Sequence, residues 1–303
     1  MSHFSKTLGL GGTTMPPMLK QQQRVWSLVP VFCALGCGGG NQLAPADGQL
    51  AEMPLEDARL GDPDLVAVPS GAFMMGSRFD ERGRDPDEGP IQALSMPAFL
   101  IDRSSVTVES FELRQEELAE ADPGAEWTRE GETPTDWPGR CNLGSLRRDH
   151  PANCVNWVAA HAFCRLRDMD LPTEAELEYA IRAGSTTAYW WGSSFETTHT
   201  VGSVSCGTRG CAGGTEAVVR DGDRCNAWGV CDAAGNVWQW TLTEYAPQLG
   251  SYVSNVPTER PASPVIRGGA WVNDDPRLFR SSHRGLAQFA GGLTEIGFRC
   301  VRR

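Results

Sequence analysis

Apolar and polar positions along this chain alternate with two periods, and the change of period marks the elements. "DLVAVPSGAFMMGS" (64–77) alternates apolar with small or polar residues and ends in Gly-Ser, which predicts a strand and a turn. "MPAFLIDRSSVTVESFELRQEELAE" (96–120) predicts a strand through Ile101 and then a helix, with Thr107 as N-cap and Val108, Phe111 and Leu118 as an approximate apolar stripe. "NWVAAHAFCRLRDM" (156–169) sets Trp157, Ala160 and Cys164 on one helical face, with Asn156 as cap. His161 shares that side, where the ordinary reading is a packed or half-exposed histidine. "LPTEAELEYAIRAG" (171–184) is the sharpest helix signal: Thr173 at the N-cap, Glu176 completing a capping box and Gly184 as terminator. Glu174 and Glu176 fall in the first turn, where carboxylates favour the helix dipole, and that reading is preferred to a pair of catalytic acids. Asp122 to His150, with Trp127, Trp137 and Cys141, is expected to be a loop-rich insertion. After Ser185 the pattern dissolves into turns and short strands, with no 20 to 50-residue repeat and no coiled coil.

Composition sharpens this picture. With 34 Gly, 10 Trp and 10 Cys in 303 residues, the fold should be loop-rich and anchored by large aromatic side chains. Formal charge is −11; removing Lys6, Lys20 and Arg24, the only Lys, Arg, Asp or Glu before Cys37, from 27 cations leaves 24 against 38 acids. That balance disfavours nucleic acid or an anionic membrane surface as a partner. Both lysines lie near the N-terminus, which excludes a Schiff-base or phosphate-loop lysine from the folded region.

The N-terminal segment reads as an address. Lys20 and Arg24 make a basic region, and Val25 to Leu35 an apolar one too short for the roughly 20 residues a membrane span needs. Ala34-Leu35-Gly36-Cys37, followed by three glycines, is similar to a bacterial lipoprotein processing site, with Cys37 as the acylated residue. An ordinary signal peptide cut nearby without lipidation is the alternative. Met1 to Pro17 is then an overlong basic region or Met18 the true start. The expected organisation is a signal peptide at 1–36, a flexible tether at 37–64 and one folded domain at 65–303. The protein is expected in a bacterial cell envelope, lipid-anchored in the periplasm or at the cell surface.

Past Cys37 eight cysteines remain: Cys141, Cys154, Cys164, Cys206, Cys211, Cys225, Cys231 and Cys300. An even number in an exported chain implies disulfides. Zinc is disfavoured, because no Cys-x-x-Cys occurs and His150, His161, His199 and His283 lack metal-ligand spacing.

In this order, "VPSGAFMMGS", "MPAFLIDRSSVT", "NCVNWVAAHAFCRLRDMDLPTEAELEYAIRAG", "WWG", "NAWGVCDAAGNVWQW", "RGGAW", "FRSSHR" and "IGFRCVRR" resemble the formylglycine-generating enzyme, or sulfatase-modifying factor, domain family over nearly all of 65–303. The resemblance implies a single compact α+β domain, a variant of the C-type-lectin-like fold with little regular secondary structure, stapled by disulfides. It pairs Cys164 with Cys300. A second family disulfide would need cysteines at Ile181 and near Ser281, and their joint absence points to restapling: Cys141 with Cys154, and the remaining four among themselves in one of three pairings.

The family's oxidation of a substrate cysteine uses two cysteines after Arg-Gly-Gly that bind copper(I), because soft thiolates suit that ion. Here the corresponding stretch is Val272 to Phe279, no cysteine lies between Cys231 and Cys300, and the family's active-site serine is Ala270. Copper is therefore not expected, and no catalytic residue is assigned. A family calcium site maps to Asp232, Gly235, Val237 and Gln239, weakened where Gln replaces Glu. Trp238, Trp271, Asn273, Arg280 and Arg284 fall where the family lines or supports its substrate groove, a composition suited to a peptide or glycan. A core of buried Trp and acid-paired Arg is the competing reading. The expectation is a binding or structural module for an extracytoplasmic protein, peptide or glycan; an active enzyme with family or divergent chemistry and a lectin-like glycan binder are the alternatives.

Overall fold

The computed structural model describes residues 64–129, 132, 141–205, 214–249, 259–287 and 292–303. The expected signal peptide and tether through residue 63, Cys37, Cys206 and Cys211 lie outside the described residues.

The 64–77 stretch forms two strands instead of one. β1 (Leu65–Val68) and β2 (Gly71–Met75) are separated by Pro69, which lacks the N–H a ladder needs. β1 pairs antiparallel with β4 (Phe99–Asp102), which pairs with the C-terminal β9 (Val301–Arg302). β2 pairs with β3 (Gln92–Met96) as a separate two-stranded sheet. A four-stranded sheet, in the order β7 (Gly285–Leu286), β6 (Pro264–Arg267), β5 (Trp238–Glu244), β8 (Ile296–Gly297), supplies the remaining strands.

Thr107 caps as expected, its hydroxyl accepting from Ser110 N–H. The helix it starts breaks early, into α1 (Val108–Glu112) and α2 (Gln115–Ala121), with Arg114 at φ −120° and ψ 9° between them. Loop residues grip this junction: Gly144 N–H donates to Glu112 and Arg148 to Glu109. Val108, Phe111 and Leu118 are nonetheless all buried. In α3 (Trp157–Arg165), Asn156 Oδ1 accepts from Ala159 N–H, and Trp157, Ala160 and Cys164 are buried. In α4 (Glu174–Arg182) both capping-box bonds form; Ala183 takes the left-handed conformation at φ 46°, and Gly184 follows at φ 85°.

One apolar cluster joins Phe111, Trp157, Phe163, Trp240 and Phe298. Its large indoles are burial-competent because their N–H groups reach carbonyls, Trp157 to Thr241 at 2.8 Å and Trp240 to Val155 at 3.1 Å. A second cluster packs β1 to β4 against Leu177, Tyr179 and Ile181 of α4.

Cys164 is bonded to Cys300 and Cys141 to Cys154, as the family pattern and its restapling imply; Cys225 is bonded to Cys231. The bridges close very different loops, 136 residues apart in sequence for Cys164 and Cys300 and 6 for Cys225 and Cys231. In the chain-entropy account the first should contribute about 5 kcal/mol and the second about 2 kcal/mol. Urea unfolding of the double variants Cys164→Ala/Cys300→Ala and Cys225→Ala/Cys231→Ala should rank in that order; equal losses would refute the ranking.

Candidate functional site

The Arg-Gly-Gly strand and the residues after it meet helix α4, and this junction is built from charge. A helix reading EAELEYAIR suggests one wet face, yet every residue of α4 is buried. Arginines make that possible. Glu174 Oε1 accepts from Arg267 Nη2 at 2.7 Å and Arg284 Nε at 2.6 Å, and Oε2 from Arg284 Nη2 at 3.0 Å. Glu178 Oε2 lies 2.8 Å from Arg267 Nη2, while Oε1 takes Gly76 N–H and Arg182 Nε. Arg303 clasps Glu176 through two 2.7 Å bonds. The first-turn acids thus do sit at the positive end of the dipole, but guanidinium partners govern their burial.

Residues 280–284 extend the network. Arg280 binds Glu88 through both terminal nitrogens and reaches Glu81 at 2.9 Å, and Ser282 Oγ donates to Glu88 Oε2 at 2.9 Å. Arg284 also donates to the carbonyls of Asp87 and Ala246. Arg280 and Arg284 are therefore buried ion-pair partners holding 81–88 and α4 in place, not exposed groove residues. Trp238 is buried on β5 with its ring 5.7 Å from that of His283. Trp271 is half-buried and donates Nε1–H to the Thr294 carbonyl. Asn273 closes a turn, its Oδ1 accepting Ala270 N–H and its carbonyl accepting Val204 N–H. Of the five, Trp271 and Asn273 keep partial exposure. Two concavities lie elsewhere: about 420 Å³ beside Ser105, Arg114 and Arg167, and about 510 Å³ beside Phe73, Tyr179 and Trp228.

The 272–279 stretch, expected to correspond to the family's cysteine pair, contains a capped turn. Asp275 accepts Arg277 N–H at 2.9 Å and pairs with the Arg277 guanidinium, opening the short 3-10 turn Pro276–Phe279. Phe279 packs under Gly269, where an added Cβ would meet its ring at 2.8 Å.

The four residues expected to hold calcium are together, and several of their polar atoms are engaged by protein partners. Gln239 points its Nε2 at the Val237 carbonyl, 3.0 Å, and at Ser105 Oγ, 2.9 Å. Without a cation between them, the reverse amide orientation would set oxygen against the Val237 carbonyl and NH₂ against Arg299. The Arg299 guanidinium, fully buried, takes the carbonyls of Asp102, Arg103, Cys231 and Asp232 and faces Gln239 Oε1. Burial lowers its pKa to about 10, so it stays charged at neutral pH. Asp232 accepts Val219 N–H and pairs with Arg224, and burial pushes its carboxyl up. The Gly235 carbonyl accepts Val237 N–H, and Gly235 itself, at φ 91°, lies so close to Val201 that a Cβ would meet its carbonyl at 2.5 Å. An NH₂ group and a guanidinium lie among these oxygens, so calcium would require the Gln239 amide to be reversed beside Arg299.

Sequence reasoning missed Glu88, Glu178, Arg267 and Arg299. The available signal was the absence of lysine after Lys20: arginine alone supplies planar forks for buried carboxylates.

The family profile described as the sulfatase-modifying factor enzyme 1-like domain matches residues 51–303. The formylglycine-generating enzyme of Mycobacterium tuberculosis is 30% identical over 297 residues, spanning 78% of this chain and 97% of that enzyme. The mouse protein named inactive C-alpha-formylglycine-generating enzyme 2 is 29% identical over 79% of this chain and 86% of its own length. Among solved structures, PvdO from Pseudomonas aeruginosa superposes with a TM-score of 0.64 at 27% identity, over 79% of this chain and 94% of that one.

Burial alone would push Glu174 up, but Arg267 and Arg284 outweigh it and hold the carboxyl below its ordinary 4.5. A carboxylate with a depressed folded value contributes stability above the unfolded value, and that contribution is lost as pH falls through the folded one. Glu174→Gln should thus cost about 3 to 5 kcal/mol at pH 7, because it leaves two buried guanidiniums short of charge. The gap from wild type should narrow as the pH is lowered below 4.5. Denaturant titrations at pH 7 and at several acid pH values read this, and a gap independent of pH would count against the ionised role.

Proposed function

The chain belongs to the sulfatase-modifying factor enzyme 1-like domain family, and from that premise we propose that it is a member without the copper-dependent oxidase chemistry, acting as a binding or structural module on a lipid anchor in a bacterial cell envelope. The carrying observation is chemical. No cysteine occurs between Cys231 and Cys300, and the equivalent stretch is occupied by an Asp275–Arg277 turn. Copper(I) needs soft thiolates, and among the described residues every cysteine is held in a disulfide. Nothing in that stretch supplies a substitute pair, so the residues do not fit copper.

The Arg-Gly-Gly frame is kept for a reason independent of chemistry. Arg267 satisfies Glu174 and Glu178, and Gly269 admits Phe279. A relative similar to this chain and named inactive supports the view that the fold persists when the reaction is gone. Half-buried Trp271 and Asn273 are the residues at which this module would touch a peptide or glycan.

The test for chemistry is copper(I) titration of the purified protein with a cysteine-containing sulfatase-type peptide, followed by mass spectrometry. No stoichiometric copper and no formylglycine are expected; turnover of the peptide would overturn the proposal. For the anchor, Cys37→Ser should move the protein from the detergent-extracted membrane fraction to the soluble one. Unchanged fractionation would remove the lipid from the account.

A further inference from the structure

We propose that the cavity between β2 and the C-terminal half of α4 binds a ligand that carries a flat apolar body and one carboxylate. The cavity holds about 510 Å³, within the roughly 300 to 1,000 Å³ of ordinary ligand pockets. Its lining includes neither Trp271 nor Asn273, so the inference goes beyond the proposed function and is tested apart from it.

Three aromatic rings build one wall. Tyr179 donates its hydroxyl to the Pro69 carbonyl at 3.1 Å, which holds its ring against β2, 5.0 Å from the ring of Phe73. The indole of Trp228 meets Tyr179 edge-on at 4.9 Å. The loop that carries Trp228 is tied to α4 through Asn226. Its Oδ1 accepts the N–H groups of Trp228 and Val230, and its Nδ2 donates to the carbonyls of Ala180 and Ile181. A wall fixed in this way spares a ligand the cost of ordering it. Ala72, Ile91 and Met74 add apolar lining, and Met74 is 52% exposed, so the cavity opens to solvent on the β2 side.

The polar lining selects the charge of the ligand. Arg182, 5% exposed, gives Nε–H to Glu178 and one N–H from each terminal nitrogen to the carbonyls of Thr187 and Gly76. A guanidinium has five N–H groups, so each terminal nitrogen keeps one without an acceptor among the described residues. Its acid is also shared, because Glu178 lies 2.8 Å from Arg267. Arg78 stands on the same lining, its side chain 74% exposed and paired in solvent with Asp80, a contact that a ligand carboxylate replaces at little cost. Glu81, the acid of the lining, is held by Arg280 at 2.9 Å. Two guanidiniums against one committed carboxylate favour a planar anionic group and disfavour a cation, despite the aromatic wall. A free aromatic acid and the carboxyl end of a peptide that finishes on an aromatic residue offer this same chemistry.

The experiment is isothermal titration of the full chain with phenylpropionate, with its uncharged primary amide, and with an acetylated tripeptide ending in phenylalanine. It is repeated on Ala72→Trp, Trp228→Ala and Arg78→Glu, with thermal unfolding to show that the variants fold. One equivalent of acid should bind wild type, and the amide should bind roughly 10-fold or more weakly. Ala72→Trp should fill the cavity and abolish binding, Trp228→Ala should weaken it roughly 10-fold, and Arg78→Glu should weaken the acid while leaving the amide unchanged. Whichever acid binds more tightly identifies the source, a small molecule or a chain terminus. No saturable binding of either acid to wild type, equal binding of acid and amide, or undiminished binding to Ala72→Trp would each overturn the assignment.

Discussion

The junction of α4, β6 and residues 280–284 depends on buried carboxylates that cannot be left without guanidinium partners. Removing an ion from water costs several kcal/mol even after relaxation, and attraction in the interior repays it only with good geometry. Glu174, with 0% exposure and two arginines on its oxygens, meets that condition. The consequence is mutual: α4 cannot dock without β6 and residues 280–284, and those cannot be buried without α4. Glu88 with Arg280, and Glu176 with Arg303, repeat the arrangement at the two ends of the same region.

This constraint gives the family frame a structural role that does not depend on any reaction. Arg267 and the two glycines after it look like a working face in the sequence, but each has a packing role that any reaction would only borrow. Residues that would carry chemistry at 272–279 face fewer such demands, since a turn closed by Asp275 and Arg277 satisfies its own backbone. They can change while the scaffold stays. The same logic applies to the 232–239 loop, where Arg299 and the Gln239 amide satisfy carbonyls without a metal ion.

Local features were legible in the sequence. Thr107, Asn156 and Thr173 cap helices because a cap needs only a side-chain oxygen and an N–H two or three residues on, both within one short stretch. Long-range ion pairs were not. Glu88 and Arg280 are 192 positions apart, and nothing local to either distinguishes a solvated charge from a buried one. The polar pattern of α4 misleads for that reason: its acids look exposed until the arginines arrive from elsewhere. The break at Arg114 was also hidden, because the 144–148 loop that grips the first helix is remote from it in sequence.

The sequence by itself determined the caps, the strand and turn punctuation, the family likeness carried by ordered motifs, and the absence of thiolates from 272–279. Only the tertiary structure decided which arginine meets which acid, that Arg280 and Arg284 are buried, and which partners engage Asp232, Gln239 and Arg299. The reason is physical: caps and missing atoms are properties of neighbouring residues. The state of a buried charge depends on partners that chain folding, not chain order, brings within reach.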